Sequence, residues 1–160
     1  MINDINKIIE KRRVELNLRD LLVAEKIGLN IDWYCDIEWH EDELESTVSL
    51  EIVKKLFDIL QLDFFTMAEI ECHFCVLKNE YLADFELPRN ELIKRKRTAL
   101  NMTRLELGDK VNFYEIEIEN MERDADLLEG WVIEDIMLLA QTLELPPQIL
   151  LDVKCKNCHR

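Results

Sequence analysis

Glycine and proline are scarce, with three of each in 160 residues. A sheet protein with frequent tight turns draws on both, so their scarcity, beside many Leu, Ile, Glu and Lys, points to an all-α protein. Long apolar runs are missing, and nothing approaches the roughly 20 residues that a membrane-spanning helix needs. The opening Met1-Ile2-Asn3-Asp4 lacks the basic segment and apolar core of a secretory signal, which makes a cytoplasmic protein the expectation. No glycine-rich phosphate loop occurs. Serine is confined to Ser46 and Ser49, and no histidine pairs with either at an equivalent place in the second half. An enzyme is therefore not expected. Positive charge is also short: 20 Lys and Arg stand against 34 Asp and Glu, a formal net charge of -14. Because affinity for DNA comes largely from cations that neutralise phosphates, the balance argues against a nucleic-acid partner and suits a basic protein.

What the chain does have is a repeat. Slid along itself by 84 residues, it places Arg13, Leu16, Asn17 and Leu18 on Arg97, Leu100, Asn101 and Met102. Asp42, Leu44 and Glu45 fall on Asp126, Leu128 and Glu129. After a one-residue slip, Leu60 and Leu62 fall on Leu143 and Leu145, and Cys72 and Cys75 on Cys155 and Cys158. A period this long means two tandem domains rather than a solenoid. The expected organisation is a first repeat over 1–75, a link over 76–88 and a second repeat over 89–160.

Four of the five cysteines thus form two Cys-x-x-Cys pairs, each closing one copy. In a reducing compartment such pairs read as metal or redox chemistry rather than as disulfides. Each pair brings two thiolates to a tetrahedral zinc, and two pairs fill its four positions and leave none open for chemistry. The expected cofactor is one structural Zn2+ on Cys72, Cys75, Cys155 and Cys158, with His73 and His159 as neighbours rather than ligands. Redox pairs, or a zinc shared between two chains, are competing readings, so a monomer and a homodimer both stay open. Cys35, alone on an expected helix, reads as a buried small apolar residue.

Periodicity gives the helices. Ile5, Ile8, Ile9 and Leu16 share a helical face, and a second helix runs from Leu18-Arg19-Asp20 through Ala24 to Ile27, where Gly28 supplies the positive φ that ends it. Asn30 caps a helix over Ile31–Trp39. The acidic stretch Glu41–Ser46 reads as a loop, and apolar positions 50, 53, 56, 57 and 60 mark a helix from Leu50 to Leu62. The second copy repeats this over Leu92–Leu100, Thr103–Val111, Tyr114–Glu122 and Trp131–Leu143, stopping before Pro146-Pro147. Trp33, Trp39, Trp131, Phe57, Phe64 and Phe65 are expected in core or inter-domain packing.

One set of residues is Arg13, Leu18-Arg19, Val23-Ala24-Glu25-Lys26-Ile27-Gly28-Leu29-Asn30 and Ile37-Glu38. Its counterpart is Arg97, Met102-Thr103, Leu107-Gly108-Asp109-Lys110-Val111-Asn112-Phe113-Tyr114 and Met121-Glu122. In this order they resemble the lambda-repressor or Xre-type helix-turn-helix family, over about three-quarters of the chain. The resemblance implies two tandem helix-turn-helix domains, with Ala24 and Gly108 letting the two helices of each motif approach closely. Glu38 and Glu122 match the glutamate that ends the third helix in that family.

In that family the third helix enters the major groove and reads bases with donor side chains. The matching stretches here are Ile31-Asp32-Trp33-Tyr34-Cys35-Asp36 and Glu115-Ile116-Glu117-Ile118-Glu119, without Arg, Lys or Gln. Carboxylates in those places repel phosphate. The leading expectation is a non-enzymatic binding protein whose acidic face, made of Asp32, Asp36, Glu41, Asp42, Glu43, Glu115, Glu117 and Glu119, takes a basic protein partner. An immunity protein or antitoxin that neutralises a nucleic-acid-acting toxin fits the size and charge. The alternative is an Xre-type transcriptional regulator touching DNA through Arg12, Arg13, Arg19, Lys94, Arg95, Arg97 and Arg104, and a third reading is a thiol redox sensor.

Overall fold

The computed structural model describes residues 4–64 and 87–153, and over that range the secondary structure is helical. The first half holds α1 (Ile5–Glu15), α2 (Asp20–Ile27), α3 (Ile31–Trp39), α4 (Glu43–Ser46) and α5 (Leu50–Leu60). The second holds α6 (Arg89–Ala99), α7 (Arg104–Val111), α8 (Glu115–Met121), a 3₁₀ turn (Leu127–Gly130), α9 (Ile133–Thr142) and α10 (Pro147–Leu151). From α1 to α4, every helix start recurs 84 positions later; α5 and α9 are offset by 83.

The helix ends show why. Asn17 and Asn101 both have φ 55, Gln61 and Glu144 have φ 53 and 54, and Gly28 at φ 84 corresponds to Asn112 at φ 60. Glycine and asparagine tolerate this left-handed region best, so each pair marks the same exit from the same helix. Leu29 then donates its N–H to the Ala24 carbonyl at 3.0 Å, as Phe113 does to Gly108 at 2.9 Å. A Cβ added at Gly108 would lie 2.5 Å from the Phe113 carbonyl oxygen, so the turn after α7 folds onto that bare backbone.

Three expectations change. Glu41–Ser46 is not all loop: Glu45 and Ser46 donate their N–H groups to the Asp42 carbonyl, and the turn is anchored by fully buried Leu44. A single buried side chain in one turn leaves no periodic trace. The prolines do more than follow the end of α9, because Pro147 opens α10 as its first residue, where the missing N–H costs nothing. And α5 ends at Leu60 rather than Leu62, with Gln61 in the left-handed conformation.

One hydrophobic core runs through both halves, from Ile5, Ile9, Tyr34 and Leu56 to Leu92, Leu107, Ile136 and Leu150. The halves meet reciprocally, α4 packing on α9 and the 3₁₀ turn on α5. Between them Ser49 and Val132 form an isolated antiparallel bridge, and Leu50 donates its N–H to the Trp131 carbonyl at 2.8 Å. Ser49 and Val132 cap α5 and α9 and are counterparts in the repeat. A residue that meets its own counterpart lies next to a twofold axis, so the halves are arranged about a local pseudo-twofold.

Candidate functional site

The acidic residues expected to face a partner lie mostly at the starts of α3 and α8 and around α4. Asn30 Oδ1 accepts the Trp33 N–H at 2.9 Å and fixes the start of α3, leaving Asp32 exposed in its first turn and Asp36 half-buried one turn on. Asp36 and Glu43 line one pocket, while Glu41 and Asp42 are exposed just ahead of α4. On α8, Glu115 is exposed, and Glu117 turns back to accept the Tyr114 N–H at 2.7 Å. Glu119 pairs with Arg123 and lies 3.8 Å from Arg104. Burial pushes the carboxyl of neighbouring Asp135 up, and the charges of Glu134 and Glu117 push it further the same way. Negative charge is therefore concentrated enough here for one carboxylate to disfavour another.

Most of the arginines offered for DNA are engaged internally. Arg13 grips Glu38 with both prongs, Nε at 2.6 Å and a terminal nitrogen at 2.8 Å, and donates to the Leu18 carbonyl. Its counterpart Arg97 donates to Glu122 at 2.6 Å and to the Met102 carbonyl. Beyond that shared arginine the two glutamates have different partners. Tyr34 donates its hydroxyl to Glu38 at 2.6 Å, whereas Glu122 takes Arg104 Nε at 2.8 Å. Burial raises the pKa of Tyr34, and the bond to Glu38 raises it further; for Arg13, the bond to Glu38 is the main cause of an upward shift. Arg12 donates to the Leu60 carbonyl and to Glu15. Arg19, Lys94 and Arg95 are exposed, Arg19 just ahead of α2 and the other two on α6.

Sequence reasoning missed the apolar part of the surface. Trp33 is 63% exposed and Trp39 69%, so neither is in the core or between the halves as expected. Tyr114 is 78% exposed, beside Ile116 at the start of α8. Leu21 and Leu105, counterparts near the starts of α2 and α7, are exposed too. A local signal was present, since Ile116 and Ile118 are two apart on one helix and cannot both lie on its buried face. By contrast Trp131 packs edge-on against Phe113, and Phe57 and Phe64 are buried.

Cys72, Cys75, Cys155 and Cys158 lie outside the described residues, as do His73, His159, Phe65 and most of the link over 76–88. Among the described residues no group of three His, Cys, Asp or Glu side chains is arranged to hold a metal ion. Phe64 and Val153, the last described residues ahead of each cysteine pair, line one pocket. Cys35 is half-buried rather than buried, and its thiol is pushed up by burial and by Asp20, Glu38, Asp32 and Asp36, away from the reactive thiolate. No helix among the described residues is long and apolar enough to cross a membrane. No family model matches the chain, and neither a curated protein nor a solved structure matches it.

Proposed function

We propose that the chain is a non-enzymatic, acidic binding protein that uses two helix-turn-helix-like units to hold a basic protein partner. An immunity protein or antitoxin is the role that suits its charge and size. The observation that carries this reading is the make-up of the exposed starts of α2, α3, α7 and α8. Leu21, Trp33, Leu105, Tyr114 and Ile116 stand there among carboxylates, while Arg13, Arg97 and Arg104 are turned inward onto Glu38 and Glu122. Exposed aromatic and aliphatic anchors ringed by charge are the composition of a protein–protein interface. A phosphate-binding surface needs the reverse, with cations outward.

The same reading includes one zinc on the two Cys-x-x-Cys pairs. Support comes from Phe64 and Val153, which share a pocket.

The test is co-purification from the native host at low salt with mass spectrometry of what is retained, run beside a mobility-shift assay on the DNA upstream of the gene. A basic protein released as salt is raised, and lost with Tyr114→Ala and Ile116→Asp, is the expected result. Salt-sensitive DNA binding at nanomolar protein with no basic partner recovered would overturn the reading in favour of a transcriptional regulator.

A further inference from the structure

We propose that the cleft between α3 and α4 is a receptor for one guanidinium side chain of the partner, an arginine subsite inside the acidic face. This rests on the protein-binding reading above and adds the chemistry of a single contact.

The cleft has a volume of about 290 Å³ and is lined by Leu29, Trp33, Asp36, Glu43, Thr47 and Val48. Pockets that enclose a drug-sized ligand begin at roughly 300 Å³, so this one suits a single long side chain. The second half explains why it is open. The counterparts of Leu29 and Val48 are Phe113 and Trp131, whose rings pack at a centroid distance of 4.4 Å and an angle of 61°. In the second half a packed pair of rings stands where the first half has two aliphatic side chains. The counterparts of Trp33 and Asp36 are Glu117 and Asn120, so the second half also lacks the indole and carboxylate in those places.

Three properties of the lining select a guanidinium. Trp33 is exposed and lines the wall, offering an indole against which a planar cation stacks. Asp36 and Glu43 supply carboxylates in the same pocket, and neither is in an ion pair among the described residues. Thr47 Oγ1 lies 2.7 Å from Glu43 Oε2, which steadies that carboxylate. An ammonium also meets the carboxylates, but it has no plane to lay on the indole and no fork to engage an oxygen pair. The cleft should therefore prefer arginine to lysine, beyond the attraction that any cation feels for a chain of net charge -14.

The experiment uses the full chain with nona-arginine and nona-lysine peptides as probes, titrated by calorimetry at low salt. The wild type is expected to bind nona-arginine at least about fivefold more tightly than nona-lysine, in the range of one cation–π contact. Trp33→Ala, a surface change, is expected to abolish that preference while leaving nona-lysine affinity within about twofold. Leu29→Phe with Val48→Trp, which copies the filled second half, is expected to do the same, with circular dichroism checking its fold. Should that double variant fail to fold, Trp33→Ala decides alone. Both peptides binding with no arginine preference, or a preference that survives Trp33→Ala, overturns the subsite and leaves the acidic face standing. Neither peptide binding the wild type overturns both.

Discussion

Glu122 is the residue whose loss the fold should feel most sharply for one atom changed. Its side chain is almost wholly buried, with Arg97 Nε 2.6 Å from one oxygen and Arg104 Nε 2.8 Å from the other. Burial alone would raise its pKa, but the bonds from Arg97 and Arg104 outweigh that, and its carboxyl is held below the usual carboxylate range. Glu122→Gln keeps the shape and removes the charge. A hydrogen bond to a charged group contributes about 1.5–3 kcal/mol. The Arg97 bond is shielded and counts fully, while Arg104 is one-third exposed and counts near the bottom of the range or below it. The amide also turns two N–H donors toward guanidiniums that can only donate. A loss of about 3 kcal/mol follows, at the low end for breaking a buried ion pair.

Urea unfolding followed by far-ultraviolet circular dichroism at pH 7 measures it, with Arg97→Met and the double variant completing a cycle. Arg97→Met removes the buried cation instead of stranding it, so the double variant should be less damaged than the two single losses added together, with a coupling of about 1–3 kcal/mol. Single variants within about 0.5 kcal/mol of wild type, or an additive cycle, would show that the pair behaves as a solvated surface pair, and would refute the reasoning.

The depressed pKa of Glu122 gives a pH prediction with a definite sign. Its stabilisation is fully present above the unfolded carboxyl value of about 4.3 and is lost as pH falls through the lower folded value, so Glu122→Gln should flatten the acid limb of stability against pH. Gly108→Ala gains up to about 1 kcal/mol of helix propensity but sets a methyl 2.5 Å from the Phe113 carbonyl; a net loss of about 1–3 kcal/mol is expected in urea, and a stabilised variant would refute the close approach. Thr103→Ala removes the hydroxyl that accepts the Glu106 N–H at 3.1 Å while Glu106 accepts the Thr103 N–H, so a loss of about 1 kcal/mol is expected from the same assay. Elemental analysis of the purified chain should find one zinc per monomer, removed by chelator and halved or worse by Cys155→Ser; none at all would leave the repeat without its proposed clasp.

How far the sequence could be read depended on how locally each feature is encoded. The end of α2 and the starts of α3 and α7 were readable because Gly28, Asn30 and the apolar stripes act within a turn or two. The short helix α4 was not, since one buried leucine carries it and its packing partner α9 is almost ninety residues away in sequence. The pairing of Arg13 with Glu38 and of Arg97 with Glu122 was also hidden. Both arginines lie in runs of cations that suggest a solvated face, and only the folding of α3 and α8 back onto α1 and α6 turns Arg13 and Arg97 onto their glutamates. Trp33 and Trp39 misled for the opposite reason, because an indole on an apolar-looking helix is core by default until the exposure is known.

The two halves keep the same interior and have let their faces drift apart. Arg13 and Arg97 serve counterpart buried glutamates, but Tyr34 adds a bond to the oxygen that Arg13 Nε already holds on Glu38, whereas Arg104 takes the other oxygen of Glu122. Trp33 answers to Glu117, Asp32 to Ile116, and the open cleft beside Leu29 to the closed ring pair of Phe113 and Trp131. The contact between halves is one-sided in the same way: Lys54 reaches Glu129 at 2.7 Å, while their counterparts Met137 and Glu45 cannot form an ion pair. A homodimer cannot do this, because every change on one side appears on the other. Two copies in one chain are free of that constraint. Helix-turn-helix dimers match palindromic half-sites through two equal faces, and equal faces are what this chain lacks. Its pseudo-twofold survives in the backbone and the buried core and is broken among the side chains at the contact and on the surface, which fits the single asymmetric partner proposed above.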